Sequence, residues 1–307
     1  MYNENHKQGF LKKIRSSDML ARQLFAASAP YEERYGKDIC QFSADELDSF
    51  LREDFITGDM SLYRAVHVIK QYVRYCMHRK MDTETSYQKI KTDPVDEMRE
   101  TLFASPLHLA SKLDQAFSEI QEDNVDLLCR CFIWLAFAEM EDNGIAAVRR
   151  DDVDLMARAV HFNGRDYRIY EEAYPAFDRV YTLPSFKVFV QKGFMYQTRS
   201  NPDMFFSGME RGEYNPKLKL ADFRARISAA AFSSGVPLSY NTIRMSGLFF
   251  RVYERERAGL VDDLESAFAS FDARGAKTDG VATRQSTRRT TRGVFEKYSA
   301  WKKAFEV

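Results

Sequence analysis

Arg244 is the residue whose placement most suggests chemistry. In the stretch LSYNTIRMSGLFFRVYERE, Leu238 to Glu256, it stands at the first turn of an expected helix, and Arg251 and Arg255 continue its line beside an apolar stripe of Met245, Leu248, Phe249 and Val252. A guanidinium keeps its charge and offers a rigid fork of donors, so an arginine held this way suits a phosphate. Two other groups of cations suit the same ligand. In DMSLYRAVHVIKQYVRYCMHRK, Arg64, His67, Arg74 and His78 fall opposite an apolar face of Leu62, Val66, Ile69, Val73 and Cys76, with Lys70 at the edge and Arg79 and Lys80 at the end. Segment 272–292, DARGAKTDGVATRQSTRRTTR, sets Arg274, Lys277, Arg284, Arg288, Arg289 and Arg292 against Asp272 and Asp279. Proton-transfer groups are scarcer, since no histidine follows His161. Cys40, Cys76, Cys129 and Cys131 match no zinc spacing; they read as reduced core residues, and neither a metal site nor a cofactor is expected.

These groups need elements to hold them. Ser43 and Glu46 form a capping-box signature opening SADELDSFLRED, and the helix after it is strongly amphipathic. From Met81 to about Arg99 the chain turns polar and aperiodic, which predicts a linker. Then come helices in ASPLHLASKLDQAF and VDLLCRCFIWLAFAEM, the second apolar nearly all round and so central to a core. RAVHFNGRDYRIY alternates about Asn163-Gly164, a hairpin signal. Further helices are expected in PAFDRVYTL, KLADFRARISAAAFSS, the Arg244 stretch, LVDDLESAFASF and GVFEKYSAWKKAFEV. Segment 272–292 has no large apolar side chain, so it reads as a flexible basic insertion. The expected fold is mainly α: a helical domain at 1–82, a linker at 83–102, and a mostly helical domain at 103–307 with one small antiparallel β-sheet.

With 307 residues, two domains are the natural expectation, because single cores stop growing near ~250 residues. The 45% hydrophobic and 14% aromatic content supports packed cores. The 45 basic and 45 acidic side chains cancel, so only local clustering can argue for nucleic acid. No apolar run reaches the ~20 residues of a membrane span, and MYNENHKQGFLKK lacks a signal peptide's apolar stretch. A cytoplasmic, bacterial, nucleoid-associated protein without a membrane partner is the expectation.

The order of these parts resembles the tyrosine recombinase (phage integrase) family, over about residues 20 to 307. WLAFAEMEDNGIAAVRRDDVDL looks like the family's helix-turn segment, NTIRMSGLFFRVYERE like its His-x-x-Arg helix, and KYSAWKKAF like its tail. The resemblance implies a core-binding (SAM-like) first domain and an integrase-type catalytic-like second domain. It also implies attack of a tyrosine on a DNA phosphodiester to give a 3′-phosphotyrosine, with two arginines on the phosphate, a hairpin lysine as proton donor and histidines assisting. Arg244 matches the second arginine and Tyr298 the tyrosine, retained family positions of the catalytic set. Glu141 aligns with the first arginine, where a carboxylate repels phosphate, and Asn241 occupies the histidine position. The hairpin offers Arg165 and Arg168 in place of lysine, and arginine is a poor proton donor.

Losing several such groups removes most of the rate enhancement. The expectation is therefore a pseudo-recombinase of a phage or mobile element that clamps double-stranded DNA without cutting it, in recombination, integration or their regulation. Its DNA contacts would come from Arg64, Lys70, Arg74, Arg149, Arg150, Arg165, Arg284, Arg288, Arg289 and Arg292, and its other partner would be a second copy or a true integrase. Two alternatives stand beside it: an active recombinase using Tyr298 with Arg149, Arg150 or Arg165 in the vacant roles, and a protein-interaction module that has left DNA. For Arg244 the choice is between a DNA phosphate and an internal pair with Glu141.

Overall fold

The Ser43 capping box forms as its spacing predicts. Its hydroxyl accepts from the backbone N–H of Glu46, and the Glu46 carboxylate accepts from the backbone N–H of Ser43 at 2.7 Å, opening α3 (Ala44–Ser49). A computed structural model describes this and the rest of residues 3–14, 18–55, 62–117, 125–190, 193–198, 201–207, 216–261, 264, 268 and 284–307. The chain divides into two compact units, Met1–Glu100 and Thr101–Val307, both built mainly from helices.

In the first unit α1 (Glu4–Leu11), α2 (Asp18–Tyr35) and α4 (Leu62–His78) enclose an aromatic core in which Phe10, Phe25 and Tyr72 meet edge to face. A buried ion pair, Lys7 with Glu32, ties α1 to α2, and Ser28 and the backbone N–H of Ile39 also donate to Glu32. Tyr72 donates to Asp38 at 3.1 Å, so α4 is anchored from its inner face. That face comprises Ala65, Val68, Ile69, Tyr72, Val73, Tyr75 and Cys76; Leu62 and Val66, expected inside, are only half-buried. The two tyrosines pull the helix around, because each buries more area than the aliphatic residue it displaces. Stretch 83–102, expected as a linker, holds a short turn at Ser86–Lys89 and α5 (Pro94–Thr101), and sends Tyr87 and Ile90 into the first core.

The second unit is organised on α7 (Val125–Phe137), buried along nearly its whole length. Around it lie α6 (Pro106–Ala116), α8 (Asp142–Ile145), α9 (Tyr174–Thr182), α10 (Pro216–Ser234), α11 (Tyr240–Arg257) and α12 (Arg284–Phe305). Helix α11 crosses α7 at Gly247, where a Cβ would stand 1.7 Å from the carbonyl oxygen of Phe137. Only glycine permits that approach. The hairpin at Asn163-Gly164 forms with both residues left-handed, φ 49° and 70°, as a two-residue primed turn requires. It joins β2 (Ala159–Phe162) to β3 (Arg165–Arg168), and β1 (Val153–Asp154) pairs with β2 on the other side, all antiparallel.

Two expectations are corrected here. The second unit has a second sheet, β4 (Ser185–Val190) antiparallel to β5 (Gly193–Thr198), in SFKVFV and GFMYQT, whose alternating aromatic and β-branched residues were the available signal. The last nine residues of the segment expected to be flexible, 284–292, are the start of α12. Arginine and glutamine propagate a helix well once its nucleation is met by the packed half beyond Val294. Residues 272–283 of that segment, and most of the helix expected in LVDDLESAFASF, lie outside the described residues. Among the described residues no helix is long and apolar enough to cross a membrane.

Candidate nucleic-acid interface

No acidic residue occurs between Asp59 and Asp82, and α4 lies within that interval. With its inner face fixed by Tyr72 and Tyr75, its outer face presents Arg64, His67, Arg74 and His78 as exposed residues, with Lys70 half-buried beside them. Arg79 and Lys80 follow at the C-terminal end, where they also complement the helix dipole. Among the described residues Lys70 and Arg74 have no carboxylate partner, and Arg64 approaches Glu100 at 3.4 Å with its side chain 60% exposed. An exposed contact of that length contributes at most about 1 kcal/mol and yields readily to a phosphate.

The second unit treats its cations differently. Arg244 is half-buried in the first turns of α11, which Ser239 caps by accepting from the backbone N–H of Thr242. Beside it the Tyr240 hydroxyl donates to the Met140 carbonyl at 2.9 Å. Burial pushes that phenol up to about 12, with Arg244 pulling it down and Asp142 and Glu141 pushing it up, so these charges surround one hydroxyl. Glu141 is exposed at the entry to α8, Asp142 is ion-paired with Arg224, and Asn241 is exposed.

An arginine of α11 meets a carboxylate that the sequence did not single out. Glu139 is buried and accepts from Arg251 at 2.9 Å, with a second contact of 2.5 Å to Arg251 Nε. It has φ 69°, a left-handed conformation at the end of α7 that glycine ordinarily takes. The backbone N–H of Glu139 donates to the carbonyl of Ala136 and that of Met140 to Leu135, both at 2.9 Å, which is the turn that closes such a helix end. An acidic residue where a helix end favours glycine was the sequence signal for an internal partner.

Tyr298 is buried at 1% exposure and stacks on Trp301 at 5.8 Å, with Phe249 and Phe268 against its other edges. Its hydroxyl donates to Glu256 at 2.6 Å, and Lys302 bridges the same carboxylate at 2.9 and 3.0 Å. Burial first, then the hydrogen bond and charge of Glu256, drive the phenol well above its ordinary range. A nucleophile needs the opposite shift. Trp301 donates from its indole to the Phe103 carbonyl at 3.1 Å, fixing the helix that carries Tyr298.

The remaining sequence candidates are scattered. Arg150 lies over the Tyr181 ring at 4.8 Å and donates to its carbonyl at 2.7 Å, a structural contact. Arg149 and Arg165 are exposed, with carboxylates nearby: His161 bonds Asp166 at 2.7 Å, and Asp166, Asp154 and Asp152 together raise the imidazole's pKa. Arg168 pairs with Glu254 at 3.4 Å. Arg284, Arg288, Arg289 and Arg292 belong to α12. Among the described residues no group of His, Cys, Asp and Glu could hold a metal.

Residues 1–78 match the family model described as MrpR, N-terminal core-binding domain. That match covers the first unit only, about a quarter of the chain's 307 residues. Among solved structures it is similar to one titled "Crystal structure of XerA recombinase", at 12% identity over 94% of this chain and 97% of that chain, with a TM-score of 0.38, a likeness that carries no weight for function. No curated protein matches.

Proposed function

We propose that this chain binds double-stranded DNA through its first domain and holds it without cutting it. The observation that carries this reading is the basic outer face of α4, a helix with no acidic residue of its own, on the domain that matches a core-binding family. Arg64, Lys70 and Arg74 are the cations that meet phosphates. The second domain's retained residues support binding over cleavage, since Tyr298 donates to Glu256 from within a core and a carboxylate, Glu141, stands where the family has an arginine. Arg149 and Arg165 add exposed charge, and Arg284, Arg288, Arg289 and Arg292 supply a basic helix that strengthens the same binding. The chain acts in DNA recombination, integration or their regulation in a phage or mobile element, alone or beside an active integrase.

The test is binding to mixed-sequence duplex DNA at two salt concentrations, with covalent species assayed on a denaturing gel from the same samples. The expected result is salt-sensitive binding and no adduct, including on a nicked substrate that traps cleavage. An adduct that disappears in Tyr298→Phe would make the chain an enzyme and overturn the reading. Absence of binding at low salt would leave a protein-interaction module.

A further inference from the structure

The outer stripe of α4 carries more than charge. Tyr63, His67 and Gln71 recur at four-residue spacing among Arg64, Lys70 and Arg74, so a row of neutral hydrogen-bonding groups lies between cations. The row is ordered internally. The rings of Tyr63 and His67 stack at 6.2 Å, and Gln71 Nε2 meets His67 Nε2 at 2.9 Å. With the amide donating, the imidazole accepts on Nε2 and carries its proton on Nδ1, as a neutral ring does. Desolvation, followed by repulsion from Lys70 and Arg74, lowers the ring's pKa and favours that neutral form. The other half of the amide is unsatisfied: Gln71 Oε1 is buried with no hydrogen-bond partner among the described residues. A buried acceptor left this way is unfavourable, and a ligand that supplies a donor relieves it.

We propose that the His67–Gln71 pair is a base-reading element, resting on the DNA-binding reading above. With α4 in the major groove and its cations on the flanking phosphates, rotation of the Gln71 amide presents Nε2 to adenine N7 and Oε1 to the adenine N6 amine, the bidentate pattern that adenine alone offers there. Tyr63 and His67 hold the amide at the right height in this arrangement. The helix runs for about 20 Å between Arg64 and His78, more than the ~12 Å width of the groove it would cross. Arg64, Lys70 and Arg74 then fix register, and Gln71 supplies discrimination.

Selection from a randomised duplex pool, with full-length wild type, Gln71→Ala and Gln71→Glu, tests this. Wild type is expected to select a site with at least one position restricted to A·T. Gln71→Ala should lose that preference by about tenfold to a hundredfold, with melting temperature and salt dependence unchanged. Gln71→Glu should move the preference towards C·G, because a carboxylate accepts from the cytosine amine. Replacing adenine by 7-deazaadenine at the selected position should weaken wild type and leave Gln71→Ala unaffected. Unaltered preference in Gln71→Ala, or equal weakening on every sequence, overturns the inference. So does salt-sensitive wild-type binding without any selected site, which leaves the DNA-binding reading in place, whereas no binding to DNA at all removes both.

Discussion

Helix α4 of the first domain and helix α7 of the second end in the same way. In each, the residue after the cap is left-handed without being glycine, Lys80 at φ 57° and Glu139 at φ 69°, and the next backbone N–H reaches back to close the turn, Met81 to Cys76 and Met140 to Leu135. What stands at that position differs. Lys80 is exposed and adds to the basic end of a helix without acidic residues, while Glu139 is buried and neutralises Arg251. The contrast extends to neighbouring charges. In the second domain Arg130 pairs with Asp114, Arg224 with Asp142 and Arg226 with Asp126, whereas Lys70 and Arg74 in the first have no such partner among the described residues. An arginine already holding a carboxylate must break that contact before it can bind phosphate; one facing water exchanges only counterions. Arg130, Arg224 and Arg226 are therefore held by carboxylates, while Lys70 and Arg74 face solvent, which is what the proposed DNA contact requires.

Six substitutions sharpen or break this contrast. Gly247→Ala should have the largest effect, since the added carbon meets a backbone carbonyl at 1.7 Å and α7 cannot shift without disturbing its core. A loss of about 3 kcal/mol or more is expected, read as early melting of the second domain in chemical denaturation. Glu139→Ala comes next: it leaves Arg251 partly buried without its carboxylate and should cost about 2 kcal/mol, below the loss for fully buried pairs because Arg251 keeps some solvent. Stability unchanged in that variant would break the comparison at its centre.

Tyr298→Phe removes one hydrogen bond to a charged group and should cost about 1.5 kcal/mol with DNA affinity unaltered, measured by melting and by a binding titration. Its partner gives a pH signature. The Tyr298 hydrogen bond, then Lys302, lower the Glu256 carboxyl pKa, so its stabilisation is complete above the ordinary carboxylate range and disappears as pH falls through the folded value. Glu256→Gln should flatten that acid-side loss in a melting series from neutral pH downward. The smallest effect is expected for Lys80→Gly, a gain of up to about 1 kcal/mol from relieving a left-handed lysine. A comparable gain in Glu139→Gly would mean the Arg251 contact is not what keeps an acid there.

Much of this was legible in the sequence, and the gaps have physical causes. The Ser43 box, the Asn163-Gly164 hairpin and the buried α7 follow from local rules, and the α4 cations from helical periodicity. The rotation of α4 towards Tyr72 and Tyr75 depends on which rings the core accepts, a tertiary preference that periodicity does not contain. The Glu139–Arg251 pair joins residues 112 positions apart, so only an acidic residue at a turn pointed to it. The family resemblance points instead to Glu141, two residues away and exposed. Tyr298 was recognisable by place, but its bond to Glu256 belongs to the packing of α12 on α11.

The salt dependence of duplex binding, compared between wild type and the Arg64→Ala/Lys70→Ala/Arg74→Ala variant, tests the division of labour most directly. The slope of log affinity against log salt should fall by about 3 in the triple variant, one unit for each phosphate that is no longer neutralised, and should stay at the wild-type value in an Arg224→Ala/Arg226→Ala control. A triple variant that keeps the wild-type slope, or a control whose slope falls instead, would place the DNA on the second domain and contradict the account.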